Sequence, residues 1–485
     1  MGCDACSWLR PRVPMTMAAP TLGQPLPEPI FFYSPLSSSF KRATAISCSM
    51  AGHTNSSSSS SSTGSYSRRW YNPSRRWYNP SRRQPPSSYD TSSEILRHWV
   101  EVQQPLASQD RFTVASYNIL GDRNASKHKD LYITVPSDYL RWGYRKRVLC
   151  EELMGWNPDI ICMQEVDKYF DLRNTMKKAG YVGSYKVNLQ FQRRTGGNVD
   201  GCATFWKPDK FRLLERESIE FKGFGLRDNV AQLSVFEICR VESRRLVIGN
   251  IHVLYNPSRG EVKLGQIRFL STRAQMLSNR WGNVPVVLGG DFNSTPQSAI
   301  YKFLSTSELD IKLYNRKELS GQRSCHPSQV LGVNRESRSP FTIMDGFLND
   351  CWTDEEVRVA TGSADSHLVV HPLKLSSSYA TVKGSTNTRD FNGEPLATSY
   401  HSKFLGTVDY LWYSEGILPT RVLDTLPIDI LRRTGGLPCK KLGSDHLALV
   451  TEFAFSKSAK DTILTMSAVS DGAISAYRED VGVPA

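Results

Sequence analysis

The sequence predicts an α/β fold built on mixed β-sheets. Short apolar runs typical of buried strands occur along residues 112–455 together with longer segments of helical periodicity. Several strands follow one another without an intervening helix, so the pattern differs from strict β-α-β alternation. The 20 Phe, 20 Tyr and 10 Trp residues supply enough large side chains for a sizeable core.

Each element follows from its local pattern. Apolar or alternating runs predict strands at 112–120, 159–166, 181–187, 201–207, 230–238, 245–253, 284–288, 408–413 and 446–455. Helical periodicity predicts helices at 145–156, 171–179, 260–281 and 298–309. The first helix stops before Asn157-Pro158 and the second at Gly180, two common stop signals. The third shows an apolar stripe of Ile267, Leu270, Ala274 and Leu277.

Composition divides the chain into three regions. Residues 1–108 form a Ser/Arg-rich leader that we expect to be disordered, residues 109–456 form the folded domain, and residues 457–485 form a flexible tail. Between residues 314 and 401 the periodicity fades and Ser, Arg, Gly and Asn become frequent. Because plain loops of this length are uncommon, we predict a partly ordered insertion there.

The positive charge is concentrated in the leader. The whole chain carries +13, and residues 1–89 contain ten Lys or Arg but only two Asp or Glu. An acid-poor, Ser-rich and Arg-containing segment is typical of a plastid or mitochondrial transit peptide, and a plain disordered tail fits equally well. The repeat SRRWYNP at residues 67–83 combines Arg with aromatics, which suits either contact with single-stranded RNA or a duplication without a role.

Several classes of protein are excluded by missing patterns. The ten cysteines are scattered, which argues against a disulfide framework and for a reducing compartment. No apolar run approaches the length of a membrane span. The sequence contains no P-loop, GxSxG, HExxH or dinucleotide-binding fingerprint.

Polar side chains lie at the ends of six predicted strands. In VPVVLGGDFNSTP, residues 284–296, an apolar strand leads to Asp291 and Asn293. Alternation along an extended chain would place both on one face, and Gly289 and Gly290 would leave room for a close approach. The other five strand ends carry Asn118, then Gln164 and Glu165, then Asn250 and His252, then Asp409, and finally Asp445 and His446. We therefore predict one convergent site.

The residue types indicate the chemistry of this site. Carboxylate and amide oxygens are hard ligands suited to Mg²⁺, with Mn²⁺ as a substitute. With no nucleophile motif in view, we predict metal-assisted attack of water on a phosphodiester, in which a carboxylate accepts the proton and imidazoles stabilise negative charge.

The six segments also resemble a known family. SYNIL, QEVD, NIHVLYNP, GGDFNSTP, VDYLWYS and GSDH, in this order, are similar to motifs of the endonuclease/exonuclease/phosphatase superfamily, most of all to deadenylases of the carbon catabolite repressor protein 4 type in a plant-like form. The resemblance covers residues 111–455. It implies a four-layer α/β sandwich, with two central mixed sheets flanked by helices, a cleft at the strand ends, and the use of Mg²⁺.

The resemblance implies a role for each matching residue. Glu165 is the principal metal ligand, Asn118 places metal or phosphate, and Asp291 orients or deprotonates the attacking water. Asn293 and His252 contact the phosphate, and Asp409 is an acid that orients the site. His446 stabilises the phosphate, with Asp445 fixing the orientation and tautomer of its imidazole. Asp291, Asn293 and His446 are also candidates for a second metal site.

The implied function is a Mg²⁺-dependent 3′-to-5′ exoribonuclease that shortens mRNA poly(A) tails and releases 5′-AMP. Pro257 and Phe404 match the residues that sandwich an adenine in the family. Two alternatives remain open: a phosphatase or phosphodiesterase of the same fold that acts on a nicotinamide dinucleotide or short oligoadenylate, and a non-catalytic RNA-binding protein.

The resemblance also bears on partners and location. The expected partner is single-stranded RNA with a poly(A) tail. The leucine-rich repeat of the full deadenylases is not found ahead of the domain, which weakens the case for docking on a Not-type scaffold. The family suggests the cytoplasm and nucleus, and the leader suggests a plastid or mitochondrion instead.

Overall fold

A computed structural model describes residues 95–103, 110–187, 200–239, 244–332, 352–382 and 387–456. The SRRWYNP repeat, most of the leader and the predicted tail lie outside these ranges, as do two parts of the predicted insertion. Among the helices in the described ranges, none is both long and apolar enough to span a membrane.

The β-strands are numbered in chain order. They are β1 (Trp99–Glu101), β2 (Arg111–Asn118), β3 (Ile160–Gln164), β4 (Val182–Val187), β5 (Gly201–Trp206), β6 (Phe211–Glu220), β7 (Val230–Ile238), β8 (Arg245–His252), β9 (Val286–Asp291), β10 (Glu308–Asp310), β11 (Leu368–Val370), β12 (Ser376–Ser377), β13 (Ser399–His401), β14 (Phe404–Gly406), β15 (Asp409–Tyr413), β16 (Ile417–Leu423) and β17 (Leu449–Phe455).

The α-helices are also numbered in chain order, and three of them show clear start or stop signals. They are α1 (Asp122–Lys127), α2 (Ser137–Leu140), α3 (Trp142–Trp156), α4 (Tyr169–Lys178), α5 (Gly260–Arg280), α6 (Ala299–Thr306), α7 (Pro327–Val330), α8 (Asp354–Thr361) and α9 (Ile428–Thr434). Helix α3 ends at Asn157 in the left-handed conformation. The side chain of Ser298 caps the start of α6, and Thr353 with Glu356 forms a capping box on α8.

Two mixed sheets form the centre of the fold. One has the strand order β1-β16-β17-β2-β3-β5-β4, and the other has the order β12-β15-β9-β8-β7-β6. Their parallel pairs are β2 with β3 and β8 with β9. A core that includes Val114 and Ile160 from one sheet and Ile248, Val287 and Leu411 from the other fills the space between them.

The helices complete the sandwich. Leu149 and Leu153 of α3 pack with Ile161 on the outer face of the seven-stranded sheet, and Leu270 of α5 packs with Val247 on the outer face of the six-stranded sheet. The predicted mixed α/β sandwich is therefore confirmed.

The folded domain begins before residue 109, so the predicted leader boundary is wrong. Trp99–Glu101 pairs antiparallel with β16 at the edge of the seven-stranded sheet. Just ahead of it, the guanidinium of Arg97 donates to the carbonyls of Leu423, Asp424 and Ala448. A strand of three residues is too short to show a periodic pattern, which is why the sequence did not reveal it.

The predicted insertion contributes to the core. Its described residues include α7, α8, β11 and β12, and buried Leu319, Val357 and Val369 pack into the α5 layer. The sequence did not predict β6 or β16. Strand β6 lies at a sheet edge with many half-buried or exposed charged residues, so its apolar signal is weak.

Candidate active site

Three neighbouring strands carry three polar side chains at one level. In the ladder β15-β9-β8, Asp409 is paired with Asp291 and Asp291 with His252. Residues in register on adjacent strands project from the same face of a sheet. His252 Nε2 accordingly lies 3.6 Å from Asp291 Oδ2. The strand register alone therefore brings three of the predicted site residues together.

Glu165 follows β3 directly and is held by three donors. The amide of Asn118 donates to Oε1 at 3.0 Å, while the amide of Asn124 at 2.7 Å and the backbone N–H of Gly121 at 3.1 Å donate to Oε2. Burial would raise the pKa of Glu165, but the charge of His252 and the bonds from Asn124 and Asn118 hold this pKa below its usual value. The carboxylate is thus ionised and fixed in place.

The backbone of Glu165 is unusual. Its φ of +57° is uncommon for a residue other than glycine and costs on the order of 1–3 kcal/mol. The site accepts this strain to place a carboxylate where β3 ends.

Asn118 joins the two sheets at the site. Its Nδ2 donates both to Glu165 Oε1 and, at 3.1 Å, to Asp291 Oδ2. Its Oδ1 accepts from the backbone N–H of Leu120, which fixes the orientation of the amide. Because Glu165 follows the seven-stranded sheet and Asp291 ends a strand of the six-stranded sheet, one amide sets the spacing of the two carboxylates.

His446 is oriented by Asp409. Its Nδ1 lies 2.8 Å from Asp409 Oδ2, which also accepts from the hydroxyl of Thr398 at 2.6 Å. Burial alone would lower the pKa of His446, but the charge and hydrogen bond of Asp409 raise this pKa well above its usual value. The other nitrogen, Nε2, lies 3.9 Å from Asp291 Oδ2. The expectation that Asp409 orients the site agrees with this geometry.

The expectation that Asp445 orients His446 is wrong. Asp445 Oδ2 accepts from the hydroxyl of Tyr132 at 2.8 Å, and its Oδ1 lies 3.4 Å from the Ser444 hydroxyl. The backbone explains the difference, because residues 445–447 pair with residues 398–400 before β17 begins. Adjacent residues in an extended segment point to opposite sides. Asp445 therefore faces a separate polar cluster with Tyr132.

Asn293 does not lie on the same extended face as Asp291. The strand ends at Asp291, and Asn293 has φ +48°, so the alternation argument no longer applies. Its Nδ2 donates to the carbonyl of Val253 at 3.0 Å, and its Oδ1 accepts from Gln322 at 3.0 Å. In this structure Asn293 ties loops together, and Asp409 takes the place beside Asp291 and His446 that we expected for Asn293.

The two glycines of β9 serve packing. A Cβ on Gly289 would lie 3.4 Å from Cβ of Ser116 in the facing sheet, and one on Gly290 would lie 2.1 Å from the carbonyl oxygen of Ile251. The close approach that these glycines permit is thus between strands and sheets. Gln164 and Asn250, which were also predicted at strand ends of the site, hydrogen-bond each other at 2.9 Å between the two sheets.

The donor set fits a divalent cation. Ligand atoms of Asp291, Asp409 and His446 lie within 4.8 Å of one another. Asp409 Oδ1 is buried and has no hydrogen-bond partner within the described part of the chain. Glu165, linked to Asp291 through Asn118, adds a further ionised carboxylate. Hard carboxylate oxygens suit a hard divalent metal ion.

The residues expected to sandwich an adenine differ in exposure. Phe404 of β14 is only 8% exposed, and its ring centroid lies 6.0 Å from that of His401. Pro257 is half-buried in the loop after β8, where its carbonyl lies 3.5 Å from the hydroxyl of Ser320. The adenine clamp remains a prediction for which the covered Phe404 ring offers little free surface.

Sequence reasoning missed several residues that support the site. Asn124 and Gly121 anchor Glu165, Thr398 anchors Asp409, and Tyr132 holds Asp445. These contacts join positions between 11 and 313 residues apart and follow no local pattern. The Gly-Asp-Arg-Asn run after SYNIL is the one signal that could have pointed to Asn124, since Gly and Asn are frequent at strand ends.

Comparison with known proteins identifies the family. The profile described as "Endonuclease/Exonuclease/phosphatase family" matches residues 115–446, a range that contains every site residue described above. The chain belongs to this family. The endonuclease/exonuclease/phosphatase assignment makes the protein an enzyme of a hydrolase family whose members typically use a divalent metal.

Individual proteins of the endonuclease/exonuclease/phosphatase family are similar to this chain over most of its length. The chain is 57% identical to carbon catabolite repressor protein 4 homolog 3 of Arabidopsis thaliana, over 93% of this chain and 97% of that protein. It is 47% identical to carbon catabolite repressor protein 4 homolog 5 of the same plant, over 75% of this chain and 82% of that protein. A crystal structure of ANGEL2, a 2′,3′-cyclic phosphatase, in complex with adenosine-2′,3′-vanadate matches with TM-score 0.59 and 28% identity, over 74% of this chain and 99% of that one.

Proposed function

We propose that this protein is a Mg²⁺-dependent 3′-to-5′ exoribonuclease that shortens mRNA poly(A) tails and releases 5′-AMP. The observation that carries the proposal is the Asn118 amide, which holds Glu165 and Asp291 together at the junction of two sheets with His446 alongside. The identity of 57% with a carbon catabolite repressor protein 4 homolog supports the deadenylase form of this chemistry.

Each side chain has a part in the proposed hydrolysis. A Mg²⁺ ion held by Glu165 would neutralise charge on the scissile phosphate. Asp291 accepts a proton from the water that attacks phosphorus as the P–O3′ bond breaks, and the departing O3′ takes up a proton from solvent. His446 donates from Nε2 to a phosphoryl oxygen, because Asp409 binds Nδ1 and keeps the imidazole protonated on both nitrogens. His252 donates to the same phosphoryl group from beside Asp291.

A second candidate is hydrolysis of a terminal 2′,3′-cyclic phosphate. It is favoured by the likeness to ANGEL2, whose structure contains adenosine-2′,3′-vanadate. Both candidate reactions attack phosphorus at the 3′ end of RNA. They differ in the leaving oxygen and in whether the chain becomes shorter.

The test uses the full chain with 5′-labelled substrates. Oligo(A), oligo(U) and mixed RNA ending in 3′-OH are compared with oligo(A) ending in a 2′,3′-cyclic phosphate and with a nicotinamide dinucleotide, in Mg²⁺, Mn²⁺ or EDTA. We expect stepwise shortening of oligo(A), 5′-AMP as product, and loss in EDTA. Glu165→Gln, which keeps the size of the side chain, should reduce the rate at least about 100-fold.

Other outcomes would replace the proposal. Equal rates on oligo(A) and oligo(U) would remove the poly(A) preference. Removal of the cyclic phosphate without shortening would favour the second candidate. Full activity of Glu165→Gln would contradict the proposed metal site.

The partner and the cellular compartment form a separate proposal. We propose single-stranded poly(A) RNA as the partner, in the cytoplasm and nucleus or, through the acid-poor leader, in an organelle. Imaging a fluorescent fusion of residues 1–100 separates these compartments. Co-purification of the full chain with a Not-type scaffold tests complex membership.

A further inference from the structure

Tyr255 is an exposed aromatic residue in the loop that follows β8. Tyr255 is 61% exposed, whereas Phe404, the aromatic residue expected to stack on a base, is 8% exposed. Tyr255 lies three residues after His252 and two before Pro257. A residue this exposed, close in the chain to His252, offers aromatic surface on which a base can stack.

The backbone around Tyr255 is anchored at successive positions. The N–H of Val253 donates to the Asp291 carbonyl at 2.9 Å, and the N–H of Leu254 donates to the Gln266 side chain at 2.9 Å. These bonds fix the loop to β9 and to α5. The loop is thus held on the side that borders the site.

A buried lysine completes this anchoring. Lys263 of α5 is fully buried, and its Nζ donates to the carbonyl of Asn293 and to the side chain of Gln322, both at 2.6 Å. The same Nζ lies 3.4 Å from the carbonyl of Tyr255. An exposed ring on an anchored backbone loses little freedom when a ligand binds.

The charges that surround the Tyr255 hydroxyl belong to the site and its rim. Partial desolvation raises the pKa of this hydroxyl, and the charged groups that act on it are those of Lys403, Asp445, Asp130 and Asp291. Asp291 comes from the six-stranded sheet, and Lys403 is paired with Asp130 on the rim. The hydroxyl therefore lies within electrostatic range of Asp291 and of the Lys403–Asp130 pair.

We propose that Tyr255 is the stacking platform for the nucleobase of the 3′-terminal nucleotide. This inference rests on the proposed action at RNA 3′ ends. Stacking on an aromatic ring tolerates every base, so Tyr255 supplies affinity for the terminal nucleotide and leaves base choice to other contacts.

The test compares Tyr255→Ala and Tyr255→Phe on two oligonucleotides. One has an intact 3′-terminal nucleotide, and the other has a 3′-terminal nucleotide without its base. For the intact substrate we expect Tyr255→Ala to lower kcat/KM about tenfold, mainly through KM, and Tyr255→Phe to stay within about twofold of wild type. On the abasic substrate the three proteins should react alike. Leu313→Ala is the matched control, because Leu313 is 63% exposed on a short 3₁₀ helix after β10.

The outcomes separate this inference from the proposed function. If wild type hydrolyses the intact oligonucleotide and Tyr255→Ala does so equally well, the platform is wrong and the function stands. If Tyr255→Ala is slowed equally on both substrates, the residue acts on the site as a whole and the platform is again wrong. If the wild-type protein hydrolyses neither substrate, the proposed function fails. If the Glu165→Gln protein also binds the two substrates with equal affinity, the platform fails as well.

Discussion

His446 Nδ1 lies 2.8 Å from Asp409 Oδ2, between two segments that are 37 residues apart in the chain. This contact leaves Nε2 of His446 as the nitrogen that lies toward Asp291. The buried carboxylate thereby stabilises the imidazolium and directs its Nε2–H toward Asp291.

Asp409→Asn should therefore lower kcat about 100-fold or more with little change in KM, because a neutral amide no longer stabilises the imidazolium whose Nε2–H donates to the phosphoryl oxygen. Asp445→Asn is the matched control. Its amide oxygen can still accept from Tyr132, so we expect activity within about threefold of wild type. Steady-state kinetics on oligo(A) give both numbers, and a larger loss for Asp445→Asn would reverse the assignment made here.

Lys263→Met should loosen the loops beside the site. It leaves the Asn293 carbonyl and the Gln322 side chain without their donor, at about 1–3 kcal/mol each, but it also removes the cost of burying an ammonium group. Since these effects on stability offset each other, we expect a small change in melting temperature. We expect the looser loops beside the site to lower kcat about tenfold.

Hydrogen exchange measures the loosening directly. Amides at residues 253–258 and 292–295 should exchange faster in Lys263→Met. Lys210→Met is the control, because Lys210 pairs with Asp159 at the far end of β3. Unchanged exchange in both segments would show that the lysine does not hold them.

Glu394 should make stability depend on pH. It is 1% exposed, its Oε1 accepts from the Tyr301 hydroxyl at 2.8 Å, and burial raises its pKa to about 7. Between the unfolded pKa near 4.5 and the folded value, the folded state holds a proton that the unfolded state has released. Stability contributed by this group is therefore lost as pH rises through that window.

Replacement of Glu394 by Gln removes this titration. The free energy of unfolding of Glu394→Gln relative to wild type should shift in favour of the variant by about 1–3 kcal/mol between pH 5 and pH 8. Urea unfolding at both pH values measures the shift. Glu308→Gln, at an exposed position on β10, should show no such change. If the difference in unfolding free energy between Glu394→Gln and wild type is the same at both pH values, Glu394 is ionised in the folded protein.

The position of β1 predicts where the domain can be shortened. A chain that starts at residue 95 keeps the pairing with β16 and the three carbonyl contacts of Arg97, whereas one that starts at residue 110 loses them. We expect the shorter chain to lose about 2 kcal/mol or more of unfolding free energy. Chemical denaturation compares the two, and Arg97→Met in the longer chain should reproduce part of the loss.

Much of the site could be predicted because it lies where strands end. Asn118, Glu165, His252 and Asp291 each follow an apolar run, and a sheet brings such ends together. Asn293 was misplaced because a single residue with positive φ ends the alternation. The choice between Asp409 and Asp445 as the partner of His446 depends on a pairing between residues 398–400 and 445–447 that no local pattern encodes.

The amide of Asn118 has a consequence for the integrity of the molecule. It touches one carboxylate from each sheet, so the proposed hydrolysis depends on both halves of the sandwich being docked correctly. A fragment that contains a single sheet has only part of the machinery. Turnover by this enzyme is thus a sensitive reporter of complete tertiary assembly, and inactivation should precede global melting wherever the two halves begin to slip.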